Sequence, residues 1–541
     1  MKISVFRLST ISVAVITLIF FPINHDALII PKMAIFFTIA MIYIPILFRN
    51  IKVDLTDKNI LFLHVILALI LIQLILVMIN SSAPFEQEFF GRTGRGLGLI
   101  TFISFIIFIL ANAKLTRIED SSFLIKMLAI SGFLSSCYAL IQQFGWDIFN
   151  WATRTNGIIG TIGNPNFQSS FTAMTLAATV IYCRKRYSNP IPLLVAVIIF
   201  ASTLYFTQST QGYLIVLVSI LVFALIFVYY KNRKYFLILT LLASICSIPM
   251  IAGMLNKGPL SYFLYKVSVI SRGDFWRSAF DTANSHPIFG VGLDSFGDFF
   301  LIYRDKAKVE MTDNAHNYLL EYAATGGYPL AILYLGLSIL VFINFLQLQK
   351  KINSFNPTLA SVFCAWVGFQ MQSVISPGTI PLIAWNSILS GFIIGANYNY
   401  DKLTERLPKQ ESKKITQQLS LISIFLATIG IILILPLFNS DRKLMEGVKN
   451  KNANQVIEAL TSYPESSVKY NIFIQDLLRS NLLNESLIVS RRAVEFNPNA
   501  VSAWALIFVN PAASDQERIK AKDEILRLDP LNREVFSYKF K

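Results

Sequence analysis

Long apolar runs fill most of the chain up to residue 437 and alternate with short polar joints. A membrane-spanning helix needs about 20 predominantly apolar residues. Thirteen runs satisfy this requirement, with approximate bounds 8–24, 28–48, 60–79, 97–113, 121–143, 166–183, 190–206, 212–230, 235–254, 328–346, 358–376, 380–397 and 416–437. The pattern therefore predicts an all-α, polytopic membrane protein of about 13 transmembrane helices.

The first run resembles the apolar part of a signal peptide, because Lys2 and Arg7 precede it. The residues that follow it, 21–25, contain no small-x-small cleavage site. We therefore expect this run to remain in the protein as the first span.

Basic residues are distributed unequally between alternate joints of the predicted spans. With the N-terminus in the cytoplasm, the N-terminal residues and the even-numbered joints hold 21 Lys and Arg residues, whereas the short outer joints hold four. Cytoplasmic loops carry the excess of basic residues, so this orientation is the predicted one. It places the long segment 255–327 outside. Because the number of predicted spans is odd, the C-terminus is also expected outside.

The composition changes after residue 437. Segment 438–541 holds 15 basic and 13 acidic residues, as a soluble domain does. Helices are predicted to end before Pro464, Pro498 and Pro530, because proline cannot continue a helix. These prolines are 34 and 32 residues apart, a period typical of tetratricopeptide-like repeats, which offer a groove for a protein partner. A plain helical cap on the membrane domain is the alternative.

Composition supports a membrane protein and excludes several other classes. Hydrophobic residues make up 54% and charged residues 15% of the 541 residues, whereas an ordinary soluble domain has about 25% charged residues. The net charge of +15 comes mostly from the cytoplasmic joints, so it sets orientation and does not indicate nucleic-acid binding. The four cysteines lie in apolar runs without a C-x-x-C pair. We therefore predict no disulfide framework, no zinc site and no other cofactor.

Polar residues concentrate in four stretches at the predicted outer ends of the spans. The first stretch, 90–98, combines four glycines with Arg92 and Arg95. Glycine lets the backbone approach a ligand closely, and the planar fork of arginine suits phosphate. A flexible turn that faces lipid headgroups is the alternative.

The second stretch, 154–167, places Arg154 and three glycines before an Asn-Pro-Asn sequence. Asn164 or Asn166 is placed to cap the helix that follows. A capped helix start at the membrane surface also suits an anion. Capping alone would explain the asparagines but not the preceding arginine and glycines.

The third and fourth stretches lie at the two ends of the long outer segment. The start of the segment contains Arg272 and Arg277, and its end contains His316 flanked by Asp313 and Asn317. An imidazole with a pKa near 6.5 is suited to take a proton from a hydroxyl group. A purely structural histidine is the alternative.

Taken in order, these stretches resemble the motifs of the O-antigen ligase and polymerase superfamily, which includes bacterial O-linked oligosaccharyltransferases. The pattern covers roughly residues 90–397. It consists of Arg…Gly…Gly-Asn-Pro-Asn before a span, Arg…Trp leading into Pro-x-x-Gly-x-Gly, and Ala-His-Asn followed by Gly-Gly. The last two motifs, which bracket the long outer segment, are the most specific.

The resemblance implies a metal-independent, inverting glycosyltransferase of the bacterial cytoplasmic membrane. Such an enzyme transfers a glycan from a polyprenyl diphosphate carrier to an acceptor hydroxyl on the outer side. Fixed arginines can stabilise the negative charge that develops on the diphosphate leaving group. By position, Arg154 and Arg272 match the diphosphate-binding arginines of the family, and Arg95 and Arg277 are further candidates.

His316 matches the family histidine assigned as general base or acceptor-orienting group. Asp313 and Asn317 are expected to orient it, and Asn164 and Asn166 to support the site. The sequence departs from the family pattern at the outer turn 207–212, which reads Thr-Gln-Ser-Thr-Gln-Gly and lacks the Ser-Arg pair of many members. Either Arg92 or Arg277 compensates, or fewer charges hold the diphosphate.

The predicted organisation is a membrane glycosyltransferase domain, 1–437, with its catalytic loop at 255–327, followed by an external helical domain, 438–541. The acceptor stays open between a protein, a lipid A core and a growing glycan; in the last case the protein is a polymerase. A lipid-linked glycan transporter and an envelope-assembly scaffold are the alternatives from other classes. The near absence of charge inside the spans disfavours a transporter, since Lys32 and Lys126 lie near span ends where they can reach water.

Overall fold

The computed structural model describes residues 4–49, 57–149, 151, 157–183, 189–306, 309–400 and 413–538. Within these ranges the chain forms helices joined by loops and turns, without a strand. The predicted all-α class is therefore confirmed for the described part of the chain.

The helices up to the long outer segment are α1 (Val5–Leu18), α2 (Ile29–Arg49), α3 (Lys58–Asn80), α4 (Phe85–Phe90), α5 (Leu99–Leu115), α6 (Ser121–Gln143), α7 (Pro165–Cys183), α8 (Ile191–Phe206), α9 (Thr210–Lys231) and α10 (Arg233–Met254). Those of the outer segment and the rest of the membrane body are α11 (Ser261–Leu264), α12 (Val267–Ser285), α13 (Phe296–Phe299), α14 (Tyr318–Ile352), α15 (Pro357–Ile375), α16 (Ile380–Asn399) and α17 (Lys413–Lys449). The C-terminal helices are α18 (Ala453–Leu460), α19 (Ser467–Arg479), α20 (Leu483–Phe496), α21 (Val501–Val509), α22 (Asp515–Leu528) and α23 (Arg533–Ser537).

Each of the thirteen predicted spans overlaps one of these helices. Among the described residues, nine helical stretches are long and apolar enough to cross a membrane, and α1, α5 and α8 are shorter apolar helices. Helix α7 has 19 residues but a more polar sequence. The helices are those of a polytopic membrane protein, while the count of thirteen spans stays a prediction.

Helix α14 consists of two segments that meet at Gly327, where φ is 76° and the backbone leaves the helical region. Its first segment begins at Tyr318. The outer segment predicted at 255–327 therefore ends in a helix of nearly three turns rather than in a loop.

Helix α16 forms the centre of the bundle, and its membrane-length stretch is completely buried. Gly395 lets α16 approach α5 closely, because a Cβ atom at this position would lie 2.3 Å from the carbonyl oxygen of Ala113. The buried Trp385 donates a hydrogen bond from Nε1 to Thr17 Oγ1 over 2.9 Å. Around this centre α2 packs against α17, and α7 packs against α15 and α9.

Lys32 differs from the sequence-based expectation. Its side chain is fully buried instead of reaching water. Its Nζ donates to the carbonyl oxygens of Thr17 and Ile19, at 3.3 and 2.5 Å. These carbonyls belong to the end of α1, where they have no partner within the helix. The lysine therefore caps α1, and the expectation that it snorkels is wrong.

Helix α17 continues past residue 437 and ends at Lys449. The predicted border between the membrane domain and the C-terminal domain, 437/438, thus lies inside a continuous helix. After it, α18, α20 and α22 each end two to four residues before a proline, as predicted for Pro464, Pro498 and Pro530. Whether these helices form tetratricopeptide-like repeats stays a prediction.

One end of the bundle, which we call the site face, carries the connecting segments 19–28, 81–98, 286–306 and 309–317 together with α18–α23. Arg304 Nη2 of the outer segment donates to Asp529 Oδ1 of the C-terminal domain over 2.5 Å, and both side chains are buried. The outer segment and the C-terminal domain therefore lie on the same side of the bundle, as the odd number of predicted spans requires. Which side of the membrane this is stays a prediction.

Candidate active site

The loop 313–317, which leads into α14, holds His316 in an unusual backbone conformation. Its φ is 55°, in the left-handed region that residues other than glycine rarely adopt. The Asn314 side chain accepts the His316 N–H at 2.8 Å, and the carboxylate of Glu321 accepts the Ala315 N–H at 2.7 Å. Asn317 caps the helix that follows. Such a strained conformation persists only where its surroundings fix it, as at functional sites.

The His316 ring has a defined tautomer. Nδ1 lies 3.0 Å from the carbonyl oxygen of Asn314. A carbonyl oxygen can only accept, so Nδ1 carries the proton and Nε2 of the neutral ring has a free lone pair. The ring packs against Phe275 of α12, with centroids 5.2 Å apart.

The pKa of His316 is lowered from its ordinary value near 6.5. Burial is the largest cause, and the positive charges of Arg95 and Arg272 add to it. The hydrogen bond to Asn314 and the charge of Asp313 act in the opposite direction. The imidazole is therefore neutral at pH 7 and able to accept a proton.

Arg95 reaches the same loop and forms a bidentate pair with Asp313. Its Nη2 and Nε lie 2.8 and 3.3 Å from the two carboxylate oxygens. Burial alone would raise the pKa of Asp313, but the guanidinium of Arg95 outweighs it and lowers that pKa to about 2. The guanidinium also lies over the ring of Phe167 in α7, 5.9 Å from its centroid. Arg95 thus joins the 90–98 loop to the histidine loop and to α7.

Arg272, near the start of α12, has a different environment. Its Nε donates to the carbonyl oxygen of Ile375 and its Nη1 to that of Ser268, both over 2.9 Å. It forms no ion pair with a carboxylate of the described residues. Burial lowers its pKa, and the more distant charge of Glu310 partly offsets this. The positive charge of Arg272 is therefore not neutralised by a carboxylate of the described residues.

The end of α15 positions both Arg272 and the histidine loop. Its Ile375 carbonyl accepts from Arg272, and its Val374 carbonyl accepts from Asn317 Nδ2 at 3.2 Å. Carbonyl groups at a helix C-terminus lack partners within the helix, so they are available for such contacts. The structure therefore brings together four predicted site residues, Arg95, Arg272, Asp313 and His316, with Asn317 beside them.

The other predicted arginines lie elsewhere. Arg277 projects from α12 with 52% of its side chain exposed and pairs with Asp305. It makes no contact with the histidine loop. Arg154 lies outside the described residues. Arg92 donates from Nη1 to Asp298 over 3.0 Å.

The Asn-Pro-Asn sequence begins α7 near this cluster. Asn164 Oδ1 accepts the N–H of Asn166 at 2.9 Å and so caps the helix. Asn166 Oδ1 instead accepts from Ser209 Oγ at 2.7 Å. This serine belongs to the 207–212 turn, so the turn that lacks the family arginine does lie at the start of α7.

The same turn is tied to the loop after α15. Gln211 Oε1 accepts from Ser376 Oγ at 2.8 Å, and Gln211 Nε2 donates to Ser170 Oγ at 2.5 Å. All these groups are buried or partly buried. Uncharged hydrogen bonds thus hold this corner of the site.

Glycines of the Pro-x-x-Gly-x-Gly and Gly-Gly motifs let the backbones of the two motifs approach each other closely. The N–H of Val291 donates to the carbonyl of Ala324 over 2.9 Å. A Cβ atom at Gly290 would lie 2.3 Å from the backbone of Thr325, and one at Gly327 would lie 2.2 Å from the carbonyl oxygen of Ile288. The two motifs therefore close the outer segment at its base, which explains why they bracket it.

A narrow apolar space adjoins the histidine loop. It lies between α3, α5, α14, α15 and α16, and its walls are apolar apart from tyrosine hydroxyls, Thr101 and Asn386. Tyr318 in its wall follows His316 by two residues, and Leu97 follows Arg95 by two. The polar cluster is thus continuous with an apolar space inside the bundle.

Sequence reasoning did not single out Asp294, which organises the 90–98 loop. Its Oδ2 accepts the N–H groups of Arg92 and Leu97, at 2.6 and 3.2 Å. Burial raises the pKa of Asp294 to about 6, although these bonds lower it. Its position two residues after the Gly-x-Gly motif is the only sequence signal. Asn314, Glu321 and Phe275 carried no signal apart from proximity to the motifs.

Residues 195–335, about a quarter of the chain, match a family model described as O-antigen ligase. The matched stretch runs from α8 into α14 and includes Arg272 and His316. No curated protein matches the chain. The family match supports the resemblance of this membrane protein to the O-antigen ligase superfamily, and thereby a role in lipid-linked glycan transfer or polymerisation.

Proposed function

We propose that the protein transfers a glycan from a polyprenyl diphosphate carrier to an acceptor hydroxyl, at the site face and on the outer side of the bacterial cytoplasmic membrane. The observation that carries this proposal is that the end of α15 positions both the loop of the neutral His316 and Arg272, which has no carboxylate partner among the described residues. Both residues lie in the stretch that matches the O-antigen ligase family.

In the proposed reaction His316 acts as the general base. Nε2 accepts the proton of the acceptor hydroxyl as its oxygen attacks the anomeric carbon of the glycan. The bond between that carbon and the diphosphate oxygen breaks, and its electron pair leaves with the polyprenyl diphosphate. Attack opposite the leaving group inverts the anomeric configuration. The bond from Nδ1 to the Asn314 carbonyl keeps the ring in the tautomer that this step needs.

Arg272 binds the diphosphate in this scheme. The leaving group gains negative charge in the transition state, and a fixed guanidinium stabilises that charge in a site sheltered from water. Its two carbonyl partners orient the fork without reducing its charge. Arg95, held by Asp313, contributes a second guanidinium at lower net charge. No step in this scheme requires a metal.

The apolar walls of the narrow space between α3, α5, α14, α15 and α16 match the hydrocarbon character of the first isoprenoid units of the carrier. Apolar walls next to a polar cluster match a molecule with a hydrocarbon tail and a charged headgroup. We propose that the donor lipid enters sideways between helices and that the acceptor approaches from the site face.

The acceptor class is tested by reconstitution of the purified full-length protein in proteoliposomes with a lipid-linked oligosaccharide. Three acceptors are offered separately: a protein, a lipid A core and a second lipid-linked unit. Formation of a glycosylated product with one of them supports the proposal and distinguishes protein transferase, ligase and polymerase.

Absence of product with all three acceptors contradicts the proposed function. In that case the movement of the lipid-linked oligosaccharide between leaflets is measured in the same proteoliposomes. Translocation without transfer would identify a transporter instead. A His286→Ala variant serves as the matched control for histidine substitutions, because His286 lies in the outer segment but contacts Thr282, Phe299 and Tyr303 rather than the site.

A further inference from the structure

The C-terminal domain contacts the turn 92–96 that carries Arg92 and Arg95. Thr93 Oγ1 lies 2.7 Å from Ser466 Oγ, and Ser466 is the N-cap of α19. The next residue, Gly94, donates its N–H to Asp26 Oδ2 over 3.0 Å. The turn is therefore bonded on one side to the C-terminal domain and on the other to the loop between α1 and α2.

That loop is itself attached to the C-terminal domain through a buried charge cluster. The N–H of Asp26 donates to Asp441 Oδ2 over 2.9 Å, near the end of α17. Asp441 Oδ1 lies 2.8 Å from Lys469 Nζ of α19, and only 0% and 6% of the two side chains are exposed. Asp441 thus joins Lys469 of the C-terminal domain to the backbone of Asp26. Without the lysine, Asp441 would be a buried charge without a counter-ion, which is strongly destabilising.

A second contact reaches the partner of Arg92. Asp298 Oδ1 accepts from Arg92 Nη1, and its Oδ2 accepts from Asn497 Nδ2, each over 3.0 Å. Asn497 follows α20 and is buried. The carboxylate that fixes Arg92 is therefore fixed in turn by the C-terminal domain.

The turn transmits its position to the histidine loop. The N–H groups of Arg95 and Gly96 both donate to the carbonyl of Arg92 over 2.9 Å, so the turn moves as one unit. Arg95 then holds Asp313 with two hydrogen bonds. Asp313 and His316 belong to the same short loop.

We infer that the C-terminal domain is a structural part of the active site, and that Lys469 and Asn497 are positioning residues for the turn 92–96 and, through Arg95 and Asp313, for His316. The effect on catalysis, which we call the catalytic link, rests on the proposed function. The stabilisation of the turn 92–96 by the C-terminal domain, which we call the mechanical link, does not. The two links are therefore measured separately.

The mechanical link is tested by hydrogen–deuterium exchange of the full-length protein in nanodiscs, with Lys469→Met compared with wild type. Loss of the lysine leaves Asp441, which accepts the N–H of Asp26, without its counter-ion. The N–H groups of Arg92 and Gly94 are therefore expected to exchange roughly tenfold faster or more. Arg491→Met is the matched control. It removes an ion pair with Glu517 that lies wholly within the C-terminal domain, and exchange in the turn is expected to stay unchanged.

Two further variants keep the test decisive. Lys469→Met combined with Asp441→Asn removes both charges but keeps an oxygen for the Asp26 N–H, so slow exchange in the turn should return. Thr93→Val removes only the hydroxyl contact with Ser466. This variant replaces Lys469→Met in the exchange experiment if Lys469→Met does not accumulate in the membrane. It should raise exchange in the turn by roughly two- to threefold, as expected for one neutral hydrogen bond.

The catalytic link is tested with the transfer assay on the same proteins. The KM for the lipid-linked donor should rise roughly tenfold in Lys469→Met and recover in the double variant, with unchanged protein level and membrane insertion. Equal exchange of the turn in Lys469→Met and Arg491→Met would overturn the inference even if transfer occurs as proposed. Faster exchange with no transfer by wild type would contradict the proposed function and leave the mechanical link supported. Faster exchange with an unchanged donor KM would overturn the positioning role.

Discussion

Two arginine-bearing regions meet at His316, and they differ in what their guanidinium groups contact. In the turn 92–96, Arg92 pairs with Asp298 and Arg95 pairs with Asp313. Among the described residues, Arg272 in α12 donates hydrogen bonds to carbonyl oxygens and to no carboxylate. Carboxylates neutralise a guanidinium, whereas carbonyl dipoles orient it and leave its charge intact. The first region thus holds loops in place, and we propose that the second receives an anion.

Under the proposed function, the same difference between the two regions indicates how a diphosphate would be bound by few arginines. A diphosphate that approaches Arg95 meets a guanidinium already balanced by Asp313, whose Oδ1 lies 2.8 Å from Arg95 Nη2. A diphosphate that approaches Arg272 meets a full positive charge. The 207–212 turn contains no charged residue. Its Gln211 and Ser209 form hydrogen bonds with Ser376 and Asn166. Under the proposed function, we therefore expect Arg272 to contribute most to diphosphate binding among the described residues.

The largest loss of transfer activity is expected on substitution of His316, which lies between the two regions. His316→Asn keeps a residue that tolerates a left-handed φ, but removes the base. We expect transfer to fall by roughly two to four orders of magnitude, the usual contribution of general base catalysis. Product formation is measured at equal protein level and membrane insertion. The matched variant His286→Ala should transfer at the wild-type rate, and undiminished transfer by His316→Asn would remove this residue from the mechanism.

The next largest loss of activity is expected at Arg272, and a comparison with the same substitution at Arg95 distinguishes the two regions. Arg272→Lys replaces a fixed fork by a point charge, so kcat/KM should fall by roughly 10- to 100-fold, the range for losing one hydrogen bond to a charged group. Arg95→Lys keeps an ion pair with Asp313 and should cost less. Steady-state kinetics with varied donor concentration measures both variants. Full activity of Arg272→Lys, or a larger loss in Arg95→Lys, would reverse the assignment of the two regions.

A smaller effect concerns pH. The active form of His316 is neutral and its pKa lies below 6.5, so kcat/KM should hold through neutral pH and decline as pH falls through that lowered pKa. Arg272→Met removes a positive charge that lowers this pKa, so the acid limb should move to higher pH. Arg95→Met should move it further, because it also leaves the charge of Asp313 unopposed. If the acid limb of the kcat/KM profile lies at the wild-type pH in both variants, a group other than His316 controls it.

The smallest effect is expected at Arg277, which the sequence offered as a diphosphate ligand. Its guanidinium is half exposed and paired with Asp305, and surface pairs contribute about 0–1 kcal/mol. Arg277→Lys should leave kcat/KM within about twofold of wild type. A loss as large as that of Arg272→Lys would place the diphosphate on the outer surface of α12.

The sequence was sufficient for the helices, because hydrophobic runs of membrane length depend only on local composition. It also located the histidine loop and Arg272 through short motifs with fixed spacing. It did not distinguish among the arginines, since pairing depends on carboxylates distant in the chain. Asp313 lies 218 residues from Arg95, and Asp298 lies 206 residues from Arg92. No periodicity or motif reports such contacts.

The same limitation applies to the C-terminal domain. The prolines indicated where its helices end, but Lys469 and Asn497 are ordinary polar residues in the sequence. Only the packing shows that they contact Asp441 and Asp298. Buried Lys32 illustrates the reverse case, in which a residue assigned to the membrane surface instead caps a helix.

The most direct test of the division between the two regions is the affinity of the protein for polyprenyl diphosphate itself. Binding is measured in nanodiscs on the inactive His316→Asn background, so that no turnover interferes. The account predicts that adding Arg272→Gln weakens binding by roughly tenfold or more, whereas adding Arg277→Gln leaves it unchanged. Equal affinity with and without the Arg272 guanidinium would contradict the account.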